Sequence, residues 1–123
     1  ASFKRYGIDR WGRAFLRANE QGQLVFTAPN SPAVDLHALS QELARRGIRT
    51  PYVVRFPTMI ENQMSQLKDA FHKAISENGY QGGHIGVYPL KVNQRRSVVD
   101  TVVKARERFN YGLEAGSKPE LLL

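Results

Sequence analysis

The sequence predicts an α/β fold: parallel β/α units that follow an N-terminal β-hairpin and a short helix. Three observations predict it. From residue 50 onward, short β-branched and aromatic runs alternate with stretches whose apolar residues recur at helical spacing. The connections between those runs are long enough to hold a helix each, and such crossovers join parallel strands. Before residue 50 the runs are joined instead by a short polar connection, the mark of an antiparallel hairpin.

Taken in order, Arg13–Ala18 and Gln23–Ala28 are the hairpin arms, flanking Asn19-Glu20-Gln21-Gly22 with glycine where a left-handed residue would sit. Asn30-Ser31-Pro32 reads as a breaker cluster. Asp35 then precedes Leu36, Leu39 and Leu43, and Gly47 follows the basic pair Arg45-Arg46. An N-cap acid, a basic last turn and a C′ glycine predict a helix over about residues 36–46.

Tyr52–Phe56 is the first predicted parallel strand, stopped by Pro57. The helix after it places Ile60, Met64, Leu67, Phe71 and Ile75 on one face and ends at Asn78-Gly79. His84–Leu90 is the second strand. A further helix buries Val98, Val99, Val102, Val103 and Phe109 and turns Asp100, Lys104 and Glu107 outward. Asn110–Leu113 is the third strand, ending at Glu114. Ser117-Lys118-Pro119-Glu120 is a capping box with proline in its first turn, so a helix is expected to start there. A helix with a start and no body, and three strands with an open edge, read as a piece of something larger. The absence of an initiator Met reads as a processed or engineered start.

With 123 residues the chain holds one domain's worth of length. Its 41% hydrophobic and 24% charged residues are the balance of a globular protein and exclude a collagen-like or wholly disordered chain. No apolar run approaches the roughly 18 residues of a membrane span. Ala1-Ser2-Phe3-Lys4-Arg5 lacks the apolar stretch of a secretory signal, and the absence of cysteine excludes disulfides, thiolate metal sites and Cys nucleophiles. A cytoplasmic location is the default. Eighteen Lys and Arg against 11 Asp and Glu leave a net charge of +7, but the positive residues are scattered, and no nucleic-acid recognition motif accompanies them. They are expected to be solvated helix faces, with neither nucleic acid nor membrane as partner.

Lys91 is the first candidate for chemistry. It directly follows an apolar strand, and in β/α folds the pocket forms at the C-terminal strand ends. Desolvation among apolar neighbours favours a neutral amine, which Schiff-base chemistry needs; a snorkelling surface lysine is the plainer alternative. Glu114 ends the next strand and belongs on the same rim, either orienting a cofactor or acting as a loop acid. Ser117 is a helix cap whose exposed amides favour anions. His37 and His72 read as helix-surface residues and His84 as a strand start; their spacing makes no metal site. Gly82-Gly83 precedes a strand and is a turn, not a phosphate loop. Trp11, Phe15 and Phe26 are expected to pack the hairpin.

Five blocks together resemble the biosynthetic arginine decarboxylases. They are Tyr6–Gly12 (YGIDRWG), Arg55-Phe56-Pro57, Gly79–Gly83 (GYQGG), Gly86–Gln94 (GVYPLKVNQ) and Tyr111–Leu121 (YGLEAGSKPEL), in the family's order. The resemblance implies a pyridoxal-phosphate-dependent enzyme that converts L-arginine to agmatine and CO2 for putrescine and spermidine synthesis, with magnesium suspected as well. It implies a partial parallel β/α (TIM-type) barrel, the first three strands over residues 50–123, preceded over residues 1–49 by a hairpin and short helix belonging to a separate β domain. Lys91 then matches the lysine that holds the cofactor as a Schiff base. Glu114 matches an acidic position near the cofactor, Ser117 and Lys118 the motif after it, and Glu120 a residue lining the same pocket. The phosphate loop, the acid facing the pyridine nitrogen and the substrate-recognising acids are expected beyond residue 123, in a homo-oligomer with a composite active site. The 123 residues alone are accordingly expected to be inactive and to self-associate. Other readings are a decarboxylase of another basic amino acid, a non-catalytic interaction fragment joined through the open edge and the Leu121-Leu122-Leu123 tail, and a basic nucleic-acid-binding module.

Overall fold

The computed structural model describes residues 2–12 and 14–122, so Arg13 of the predicted first strand, Leu123 of the tail and Ala1 lie outside the described residues. The chain divides into two compact units, Ala1–Thr58 and Met59–Leu123.

The first unit opens with two single-turn helices, α1 (Ser2–Arg5) and α2 (Ile8–Trp11). Three antiparallel strands follow in the order β1 (Leu16–Ala18), β2 (Leu24–Ala28) and β3 (Ser31–Asp35). The predicted hairpin joins β1 to β2. Gly22 takes a left-handed φ of +75°, and the Asn19 side chain accepts from the Gln23 N–H at 2.8 Å, closing the turn. Phe15 and Phe26 are buried, at 6% and 1% exposure, and the Phe26 ring stacks 3.7 Å from that of Phe56. Trp11 does not join them. It is 59% exposed, because α2 is a single turn that buries nothing, and its indole N–H donates to the Tyr6 carbonyl at 3.0 Å.

Strand β3 was not expected, because Asn30-Ser31-Pro32 reads as a break. Asn30 makes the turn with φ +56°, and the chain re-enters the sheet at Ser31. Proline is tolerated there because β3 is an edge strand, and because the register jumps from Phe26↔Val34 to Ala28↔Ser31. Pro32 and Ala33 together face Thr27, a bulge in which Pro32 leaves no ladder donor missing. Helix α3 (Leu36–Arg45) matches its prediction: the Asp35 carboxylate accepts from the N–H groups of His37 and Ala38 at 2.8 and 2.9 Å.

The predicted strand at residues 52–56 is overturned. That segment has no regular structure and pairs with no strand, and Pro51 and Pro57 at its flanks donate no hydrogen bonds. Its β-branched residues stay outside, Val53 at 73% exposure. The parallel sheet therefore has two strands among the described residues, not three.

Helix α4 (Pro57–Glu77) carries proline at its first position, where the missing N–H costs nothing. In the second unit, β4 (Gly86–Pro89) leads through a 3-10 turn, Leu90–Val92, into α5 (Arg96–Phe109) and then β5 (Tyr111–Glu114). The two strands pair in parallel, from Gly86↔Tyr111 to Pro89↔Glu114, with α5 as the crossover. Met64, Val102 and Ala105 form the core, with Ile60, Tyr88, Phe109 and Tyr111 packed on it. Of the predicted α4 face only Met64 is buried; Leu67 and Phe71 remain more than two-fifths exposed. On α5, Val98 and Val102 are buried as predicted, while Val103 is partly exposed and the small Thr101 and Ala105 are buried in its place. Glu61 of α4 pairs with Arg108 of α5, and the Lys68 amine donates to the Arg108 carbonyl at 2.9 Å.

Two element boundaries differ from expectation. Asn110 does not start β5; it caps α5 in the left-handed region, φ +55°, and its amide donates to the His84 carbonyl at 2.7 Å. The helix expected after Ser117 is a 3-10 turn, Pro119–Leu122. No helix among the described residues is long and apolar enough to cross a membrane.

Candidate active site

Side chains alternate along paired strands, and residues directly opposite share a face. In this register Gly86, Tyr88, Tyr111 and Leu113 lie on one face of the β4–β5 pair, and Val87, Pro89, Gly112 and Glu114 on the other. The first face is the packed one, since Tyr88 and Tyr111 meet the α4–α5 core. On the second, Val87 is 56% exposed, and Glu114 stands at the C-terminal end.

Lys91 lies two residues beyond Pro89, in the middle of the 3-10 turn that continues β4. Pro89 is opposite Glu114, so both residues leave the sheet at the same end. The lysine is exposed while its neighbour Leu90 is buried at 6%, which anchors the turn from below. Lys91 is thus at a strand end but not surrounded by apolar side chains, as the sequence led one to expect.

Past β5 the chain folds tightly on itself. The Glu120 carboxylate accepts from the Gly116 N–H at 2.7 Å, and the Ser117 hydroxyl accepts from the Glu120 N–H at 3.4 Å. This is a capping box shifted by one residue: the acid reaches back to Gly116 rather than to the cap residue itself. A Cβ on Gly116 would sit 3.3 Å from a Glu114 carboxylate oxygen and 3.7 Å from one of Glu120. Glu114, Ser117 and Glu120 are therefore gathered around Gly116. That glycine was not singled out by sequence reasoning, although its place between the two acids is the signal for a close approach.

The turn under Lys91 holds a second feature that no spacing rule reveals. The Tyr88 hydroxyl donates to the Asn93 carbonyl at 3.1 Å, and the Asn93 side chain accepts from the Arg95 N–H at 3.2 Å.

Over 120 residues, 96% of its length, the chain is 41% identical to a biosynthetic arginine decarboxylase of Prochlorococcus marinus strain MIT 9303, covering 18% of that protein. Its fold matches the crystal structure of the biosynthetic arginine decarboxylase SpeA from Campylobacter jejuni with a TM-score of 0.84 and 42% identity, over 95% of this chain and 20% of that one. The relatives are biosynthetic arginine decarboxylases. A further one, from Phocaeicola vulgatus, is 40% identical over 117 residues. The chain spans about a fifth of the length of the arginine decarboxylases it matches. No family model matches it.

Pyridoxal phosphate, an aldehyde, would require a primary amine at the site, and Lys91 presents one in a turn at a strand end. Among the described residues that amine pairs with no carboxylate. Magnesium finds no such fit: among the described residues no three His, Cys, Asp or Glu side chains converge.

Proposed function

We propose that these residues carry the cofactor lysine of a pyridoxal-phosphate-dependent arginine decarboxylase, which converts L-arginine to agmatine and CO2 in polyamine biosynthesis. The observation that carries the reading is the position of Lys91. It stands at the C-terminal end of a parallel strand, in a chain about two-fifths identical to SpeA and matching its fold. The reading extends to the architecture. Residues 50–123 are part of a β/α barrel, and residues 1–49 part of a separate β domain, in a homo-oligomer of the cytoplasm.

When bound, pyridoxal phosphate supplies the electron sink for the pair left behind as CO2 departs. The chain's own residues bind and orient. Lys91 would hold the cofactor through its Nζ, a primary amine at the strand end, and the same nitrogen could take up or return a proton there. Glu114 lies on the same rim and offers a carboxylate to a protonated nitrogen. Ser117 and Glu120 brace the loop at Gly116, beside the Glu114 carboxylate.

Borohydride reduction of the protein made from its complete gene, followed by peptide mapping, tests the assignment. The label is expected on the peptide containing Lys91, and Lys91→Ala is expected to abolish CO2 release from arginine. A label on another lysine overturns the reading.

A further inference from the structure

We propose that Tyr88 is a positioning residue for Lys91: its phenol pins the turn on which the lysine stands. The inference deepens the reading of Lys91 as the cofactor lysine and rests on it.

The ring of Tyr88 packs against the core formed by Met64, Val102 and Ala105. From there its hydroxyl donates to the Asn93 carbonyl at 3.1 Å, closing a loop over Pro89, Leu90, Lys91 and Val92. Two residues within the loop, and the one that closes it, help to fix it. Pro89 has φ −72°, set by its ring. Leu90 is buried and holds the turn down. Asn93 continues the restraint outward, because its side chain accepts from the Arg95 N–H at the start of α5. The backbone under Lys91 is thus held from β4, from the core and from α5, while the lysine side chain itself stays exposed.

A lysine amine rides on a flexible four-carbon stem, so its location is only as definite as the Cα it leaves from. A misplacement of ~1 Å at a reacting group costs about 100-fold in rate. A ring that served packing alone would need no hydroxyl. Here the hydroxyl spends its hydrogen bond on the carbonyl that ends the turn.

The test is Tyr88→Phe in the protein made from its complete gene, which keeps the ring and removes only the donor. In the cofactor-free protein, amide exchange over residues 90–94 is expected to quicken about tenfold, with α5 and β5 unchanged, as local loosening requires. In the loaded enzyme kcat is expected to fall about tenfold with KM for arginine held within about twofold, because the lysine is displaced and the substrate's own contacts are not. Exchange and kcat both at wild-type values overturn the positioning role. So does faster exchange spread through α5 with kcat unchanged, which is a packing role only. Borohydride mapping of the wild type separates the two layers. A label away from Lys91 overturns this proposal together with the reading beneath it, whereas a normal label with unaltered exchange and kcat overturns the role of Tyr88 alone.

Discussion

A Cβ placed on Gly86 would fall 2.5 Å from two carbons of the Tyr111 ring, the residue directly opposite it in the β4–β5 register. The ring takes the space a side chain would occupy, and so the first rung of the parallel pair is a glycine beneath a tyrosine. Gly86→Ala forces the ring or the strand aside. It is expected to cost about 1–3 kcal/mol, the usual penalty of overpacking. Thermal unfolding checks it, and the partner variant tests the cause: in Tyr111→Ser the added methyl of Gly86→Ala has room, so the two changes together are expected to cost less than their sum. Strict additivity would show that the ring is not what excludes the methyl.

Asp35 is bound on two sides. One carboxylate oxygen accepts from the His37 and Ala38 N–H groups that open α3, and the other from the Asn19 side chain at 3.2 Å in the hairpin turn. Asp35→Ala removes the cap and leaves the Asn19 amide without that acceptor. The expected loss is about 1–2 kcal/mol. Asp35→Asn, which still caps, is expected to lose less than half as much. Chemical denaturation of the two variants side by side decides it, and equal losses would mean that the cap is not the source of the stability.

Met64 is the one α4 residue at the centre of the second unit's core, 4% exposed between Val102 and Ala105. Met64→Ala is expected to cost about 2 kcal/mol, at the low end for such truncations, because partly exposed neighbours can close over the gap. Leu67→Ala, one turn on at 44% exposure, is expected to cost well under half of that. Unfolding midpoints for the pair give the comparison.

The contrast between Met64 and Leu67 marks where sequence reasoning reached its limit. Periodicity placed both on one face correctly, but which part of a face is covered depends on what packs there. The caps and turns were legible because they are local: Asp35, Gly22 and Gly47 each answer to the residues beside them. The Tyr52–Phe56 segment was misread because propensity describes a residue's fitness for a strand, not the presence of a neighbour to pair with. β3 was missed for the converse reason, a proline that an edge bulge accommodates. At the candidate site, Lys91 and Glu114 were placed on one rim from the strand pattern alone. Gly116 and the Tyr88–Asn93 bond were not, because a side chain reaching a backbone carbonyl five residues away leaves no periodic trace.

Tyr111 also makes a prediction about pH. Burial in the second unit's core raises its phenol above the ordinary value of 10.0, because the phenolate would lose its hydration there. In the unfolded chain the phenol ionises at the lower, ordinary value. Below that value both states are protonated and the difference in pKa has no effect on their balance. As the pH climbs past 10.0 the unfolded state releases its proton first, so unfolding gains and stability falls, until the folded phenol ionises as well. The stability associated with the protonated ring is therefore fully present below pH 10 and lost through the window above it. Tyr111→Phe removes the proton while keeping the ring over Gly86. It is expected to flatten the alkaline limb of the stability curve and to leave the curve near pH 7 almost where it was. Denaturation midpoints of both proteins from pH 8 to 11 measure this, and an alkaline limb equally steep in the variant would assign the loss to other groups.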